Sequence, residues 1–95
     1  MKYIEKSDFI NKIIEGNSLD RLPLYPPQSV HQIITSPPYF GLRDYGHKGQ
    51  LGLENTMDIY ISSLCDILDQ AKRVLRDDGT LWLNVGDRYA GNMSR

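Results

Sequence analysis

Three things are scarce in these 95 residues: cysteine, basic charge and long apolar runs. The single cysteine, Cys65, rules out an internal disulfide and suits a reducing compartment. No apolar stretch is long enough to span a bilayer. The start, Met1-Lys2-Tyr3-Ile4-Glu5-Lys6, lacks the shape of a signal peptide. Together these point to a soluble, cytoplasmic protein. Eleven Lys and Arg against twelve Asp and Glu leave a net charge of -1, so the chain carries no basic stripe of the kind that grips nucleic acid. Glycine is not rare, but no glycine-rich loop follows an apolar strand. Gly46-His47-Lys48-Gly49 and Gly49-Gln50-Leu51-Gly52 come nearest, and neither has a phosphate or cofactor cradle's context.

What is present is a shaped strand end. The apolar run Val30-His31-Gln32-Ile33-Ile34-Thr35 closes on Ser36-Pro37-Pro38-Tyr39. Open α/β sheets place their ligands at the carboxyl ends of strands. Ser36 offers a hydroxyl acceptor and Pro37 a carbonyl acceptor. Both prolines fix φ and carry no N–H, so the carbonyls point where the backbone puts them. Tyr39 supplies a flat face. Few chemistries want this set, and one that does is methylation of the exocyclic amino group of a nucleic-acid base. Its nitrogen shares a lone pair with the ring, and two acceptors on its hydrogens draw it toward a tetrahedral shape. The base must first leave the duplex, and Tyr39 can then stack on it. The plainer reading stays open, because Ser-Pro and Pro-Pro also punctuate ordinary loops.

The surrounding pattern reads as one crossover of a parallel sheet. A short strand is expected at Lys12 to Glu15, ending at Gly16, then a helical turn at Asp20 to Pro23. Pro23, Pro26 and Pro27 form a rigid lead into the strand at Val30 to Thr35. Phe40 to Glu54, holding Gly41, Gly46, Gly49 and Gly52, reads as a flap or as a plain connection. From Thr56 to Arg76 the spacing of Tyr60, Leu64, Ile67, Leu68, Ala71, Val74 and Leu75 predicts a helix with one apolar face. Thr56 caps it, and Gly79 is its expected stop signal. Cys65 and Trp82 are expected in the packing. Leu81-Trp82-Leu83-Asn84-Val85 reads as the second strand. Its end and that of the first should face one pocket.

Longer stretches carry a family resemblance. Glu15-Gly16-Asn17-Ser18-Leu19-Asp20, the run Ser29 to Tyr39, Gly41-Leu42-Arg43-Asp44-Tyr45-Gly46 and Arg73 to Asp87 together resemble DNA amino-methyltransferases. These enzymes use S-adenosylmethionine to modify cytosine N4 or adenine N6. The order is similar to their permuted group, with the catalytic motif first. The resemblance implies a partial Rossmann-like methyltransferase sheet, with residues 1–95 as the N-terminal part of the catalytic domain. The cofactor-loop and target-recognition regions would then lie in a missing C-terminal part. It implies that Ser36, Pro37, Pro38 and Tyr39 are the catalytic motif, where serine is more typical of cytosine-N4 enzymes. It places Asn17 beside the cofactor, where many relatives carry an acidic residue, and Asp87 at the pocket floor. Arg43 and Lys48, with His47, form a small basic group suited to double-stranded DNA. Three readings stay open beside cytosine N4: adenine N6, an inactive truncated fragment, and a non-catalytic interaction module using the proline cluster.

Overall fold

The computed structural model describes residues 2–41, 46 and 48–86. A 3-10 turn at Lys6–Asp8 precedes the short helix α1 (Ser18–Arg21) and a second 3-10 turn at Leu22–Leu24. Strand β1 (Val30–Thr35), helix α2 (Met57–Val74) and strand β2 (Leu75–Leu83) follow. β1 and β2 pair in parallel, with α2 as the crossover between them. This is the α/β arrangement expected of a partial Rossmann-like sheet.

Helix α2 forms where its pattern places it. Thr56 Oγ1 accepts the Ile59 N–H at 3.2 Å, capping the first turn. Asp58 lies in that turn and Lys72 and Arg73 in the last, each matching the helix dipole. The inward stripe buries Tyr60, Ala71 and Val74, the buried apolar residues among those described.

The helix ends earlier than its apolar spacing predicts. Leu75 is extended, at φ -79 and ψ 135, and already belongs to β2. The segment entering β1 captures the last helical carbonyls: Gln28 N–H donates to Arg73 O at 3.1 Å and Ser29 N–H to Val74 O at 2.8 Å. Strand pairing thus begins at Val30 and Leu75, not at Leu81. It is then interrupted, since Gln32 pairs with Thr80: two steps along β1 against five along β2. The excess on β2 carries the exposed Arg76–Asp78 ion pair, at 2.8 Å. Asp77 exchanges two bonds with Gln28, at 2.9 and 3.1 Å. They hold Gln28 in a left-handed conformation, φ 58, that a non-glycine residue adopts only at a cost. Gly79, expected to stop a helix, lies within β2 instead. A Cβ there would sit 2.8 Å from the His31 carbonyl oxygen and 2.7 Å from Leu75 Cδ1, so the strands close up only over a glycine.

Two other expectations are corrected. Lys12 to Glu15 forms no strand, and Ile13 is fully exposed. Among the described residues no strand lies beside this segment to satisfy its backbone. Trp82 and Cys65 are not in the packing: Trp82 is 60% exposed and Cys65 lies on the outer face of α2. Trp82 pairs with Ile34, itself 74% exposed, so one face of the two-stranded sheet is bare. Parallel sheets normally have both faces covered. No described helix is long and apolar enough to cross a membrane.

The proline segment wraps the C-terminal end of α2. Arg73 Nη2 donates to the carbonyls of Leu22 and Tyr25, at 2.7 and 2.8 Å. Its Nε donates to Gln70 Oε1 at 2.9 Å, and its guanidinium lies 5.5 Å from the Tyr3 ring centre. Tyr25 stacks on Phe9 at 4.8 Å. Two carbonyls flanking the prolines, those of Leu22 and Tyr25, are therefore engaged within the chain.

Candidate active site

β1 delivers Ser36 to the edge of a cavity of about 900 Å³, lying between the strand end, the Glu15–Leu19 segment and the middle of α2. Ser36, Pro37, Pro38, Asn17 and Lys48 all line it. The sequence marked each of the five, and the fold brings them to one hollow. Arg43 and Asp87 lie outside the described residues, as does His47. Tyr39 is half-buried and does not line the cavity.

Tyr39 instead marks where the two strand ends meet. Asn84 N–H donates to Thr35 O at 2.9 Å, carrying the pairing past the end of β2. Gly86 then passes beneath the tyrosine ring. A Cβ at Gly86 would lie 3.0 Å from both Tyr39 Cε2 and its hydroxyl oxygen, so only a glycine fits without moving the ring. The two strand ends therefore meet at Tyr39, but the expectation that both face one pocket is met by β1 alone, since no described residue at the end of β2 lines the cavity.

The carbonyls of the motif divide by partner. Pro38 O accepts the Tyr60 hydroxyl at 2.9 Å. Among the described residues, neither Ser36 Oγ nor Pro37 O has a hydrogen-bond partner, and both residues line the cavity. Two acceptors side by side, next to a hollow, can take both hydrogens of an amino group. Asn17 is half committed. Its Oδ1 caps α1 by accepting Leu19 N–H at 3.0 Å, while its amide nitrogen lies near Gly49, 3.8 Å from where a Cβ would stand. It therefore brings donors to the cavity rather than an acceptor.

The loop after the motif is pinned at its base. Gly41 N–H donates to Gly52 O at 2.7 Å, and Gly52 N–H to Glu54 Oε1 at 2.8 Å. Gly52 is buried, with φ +106, and a Cβ there would come within 2.8 Å of Tyr39 O. Left-handed geometry and close approach both demand glycine. Phe40 packs at a tilt on Tyr60, with ring centres 5.6 Å apart.

Tyr60 is the residue that the spacing argument undersold. It reads as one more apolar position of α2, yet its hydroxyl grips the motif from 22 residues away. Burial, then Glu54 and Tyr39, raise its pKa above the ordinary value, so the hydroxyl remains a donor. The available signal was chemical: a tyrosine placed on a buried helical face needs a partner for its O–H.

A family model described as DNA methylase, of the N6/N4 group, matches residues 30–94. Type II methyltransferase M.Cfr9I of Citrobacter freundii is 53% identical over 81 residues, which is 84% of this chain and 27% of that protein. M.XycI of Xanthomonas campestris pv. cyanopsidis has the same identity and coverage. M.SmaI of Serratia marcescens is 46% identical over 78 residues, 82% of this chain and 27% of that protein. The chain thus spans about a quarter of the length of these relatives. No solved structure matches. With the matched region covering β1, the motif, α2 and β2, the chain belongs to the N6/N4 DNA methylase family.

Proposed function

We propose that this chain supplies the base-activating part of a DNA methyltransferase that transfers a methyl group to the exocyclic amino group of a flipped base, cytosine N4 before adenine N6. The observation that carries the reading is a pair of acceptors, Ser36 Oγ and Pro37 O, without a hydrogen-bond partner among the described residues and belonging to residues that line a cavity with Asn17. Ser36 and Pro37 would each accept one amino hydrogen, drawing the nitrogen lone pair out of the ring. Tyr39 would stack on the extruded base, an interaction worth roughly 1–3 kcal/mol. Ser36 in place of an acidic residue favours cytosine by family tendency.

The cavity fits the expected methyl donor in size, since sites for such ligands run to several hundred Å³. Asn17 would donate to its polar part, and Glu15 and Glu54 stand among the residues of the same wall. S-adenosylmethionine, when bound, would supply an electrophilic methyl group: its bond to sulfur breaks as the bond to nitrogen forms, the thioether leaves, and the methylated nitrogen gives up one proton to water. Lys48, exposed and at the rim, would meet a DNA phosphate. Double-stranded DNA and the remaining portion of the enzyme are the proposed partners, and residues 1–95 are one part of the catalytic domain.

Nucleoside mass spectrometry tests this. DNA from cells expressing the chain, in a host free of N4-methylcytosine and N6-methyladenine, should contain N4-methylcytosine. N6-methyladenine would move the target to adenine. Neither base, with no binding of S-adenosylmethionine by calorimetry, would overturn activity in the chain alone and leave an inert fragment.

A further inference from the structure

The Ser36–Tyr39 motif is stiff almost throughout for covalent reasons. Ser36 and Pro37 each precede a proline, which confines their ψ to the extended region. Pro37 and Pro38 have φ near -65° by ring closure, to within about 15°. The first torsion left soft is ψ of Pro38, and it sets the direction in which Tyr39 leaves the motif. That torsion turns the Pro38 carbonyl, and the Pro38 carbonyl is the one held by the Tyr60 hydroxyl, at 2.9 Å. On its far side the hydroxyl end of the Tyr39 ring lies against Gly86, where an added Cβ would stand 3.0 Å from both Cε2 and the hydroxyl oxygen.

We propose that Tyr60 is a positioning residue: by holding the Pro38 carbonyl, its hydroxyl fixes ψ of Pro38 and so the direction in which the backbone carries the Tyr39 ring toward Gly86. The inference rests on the base-stacking role proposed for Tyr39. It differs from a packing role for Tyr60, because the ring of Tyr60, packed on Phe40, would serve packing equally well without its hydroxyl.

Tyr60→Phe keeps the ring and removes the donor. In a methyl-transfer assay with the active enzyme, Tyr60→Phe should lower kcat about tenfold, a usual penalty for a slightly misplaced group, with KM for S-adenosylmethionine unchanged. In a Tyr39→Ala background the same change should have no further effect, since Tyr60 acts through Tyr39. Additive losses in the double variant, or an unchanged kcat in the single one, would overturn the proposal. A second readout is independent of activity, and so separates this inference from the function on which it rests. Aromatic NMR of the chain should show a nuclear Overhauser contact between the Tyr39 ring and Gly86 Hα. That contact should weaken several-fold in Tyr60→Phe, while the contact between Phe40 and the ring at position 60 persists as proof of folding. A Tyr39–Gly86 contact at full strength in Tyr60→Phe would sink the clamp, even if the chain proves active. Should Tyr60→Phe not fold, the parent chain still tests the clamp: the Tyr60 hydroxyl proton should be visible by NMR as a slowly exchanging resonance, and rapid exchange with water would overturn the proposal.

Discussion

The two ends of α2 perform the same act with different chemistry. At the N-terminal end, one neutral hydroxyl from Tyr60 holds one carbonyl of a proline motif. At the C-terminal end, one charged guanidinium from Arg73 holds two carbonyls of another proline-bearing segment, at 2.7 and 2.8 Å. Charge-assisted bonds are roughly twice as strong as neutral ones. The Arg73 end is built as a fixture. The Tyr60 end holds its segment by a single neutral bond, so it fixes the direction of one carbonyl rather than anchoring the fold. A single helix thus joins a strong attachment to a lighter one.

The largest effect should come from the fixture. Arg73→Met removes both charge-assisted bonds and leaves the carbonyls of Leu22 and Tyr25 without their donor, at a cost of about 3 kcal/mol in urea unfolding. A loss below about 1 kcal/mol would erase the contrast between the two ends. Ser36→Ala should do the reverse, lowering turnover about a hundredfold while leaving stability and cofactor affinity unchanged. Equal loss of cofactor binding would remove Ser36 from the base. Tyr39→Ala should weaken binding of the extruded base by about 2 kcal/mol, read from DNA carrying a fluorescent base analogue at the target. Thr56→Ala, which uncaps the helix near the motif, should cost about 1 kcal/mol of stability. The smallest effect is a pH dependence. Burial raises the Tyr60 pKa above 10.0, so its neutral form favours the folded state. That contribution is complete below pH 10.0 and is lost as pH rises through the folded value. Unfolding followed from pH 8 to 11 should show a decline in the parent that Tyr60→Phe lacks.

Much of this was legible from residue order alone. β1 falls at Val30–Thr35, as its β-branched run implies, and Thr56 caps α2. Five of the marked residues line one cavity. The misreadings share a cause: local pattern continues where a distant partner intervenes. Leu75 continues the helical spacing, yet the entry to β1 claims the carbonyls of Arg73 and Val74 and turns the chain into a strand. Gly79 looks like a stop signal because glycines end helices, whereas the His31 carbonyl is what requires it. Trp82 looks like core because its neighbours are leucines, but no described layer covers its face. The role of Tyr60 was hidden in the same way, since periodicity weighs a side chain by its bulk and ignores where its hydroxyl ends.

The bare side of the sheet also has a practical meaning. Trp82 is the one tryptophan in the chain, and it stands with Ile34 on the uncovered face. Its fluorescence therefore comes from a single known place. Water around an exposed indole shifts emission to the red, and anything that comes to rest on that face would shift it back. The chain carries its own optical gauge for the arrival of a covering layer, with no label needed.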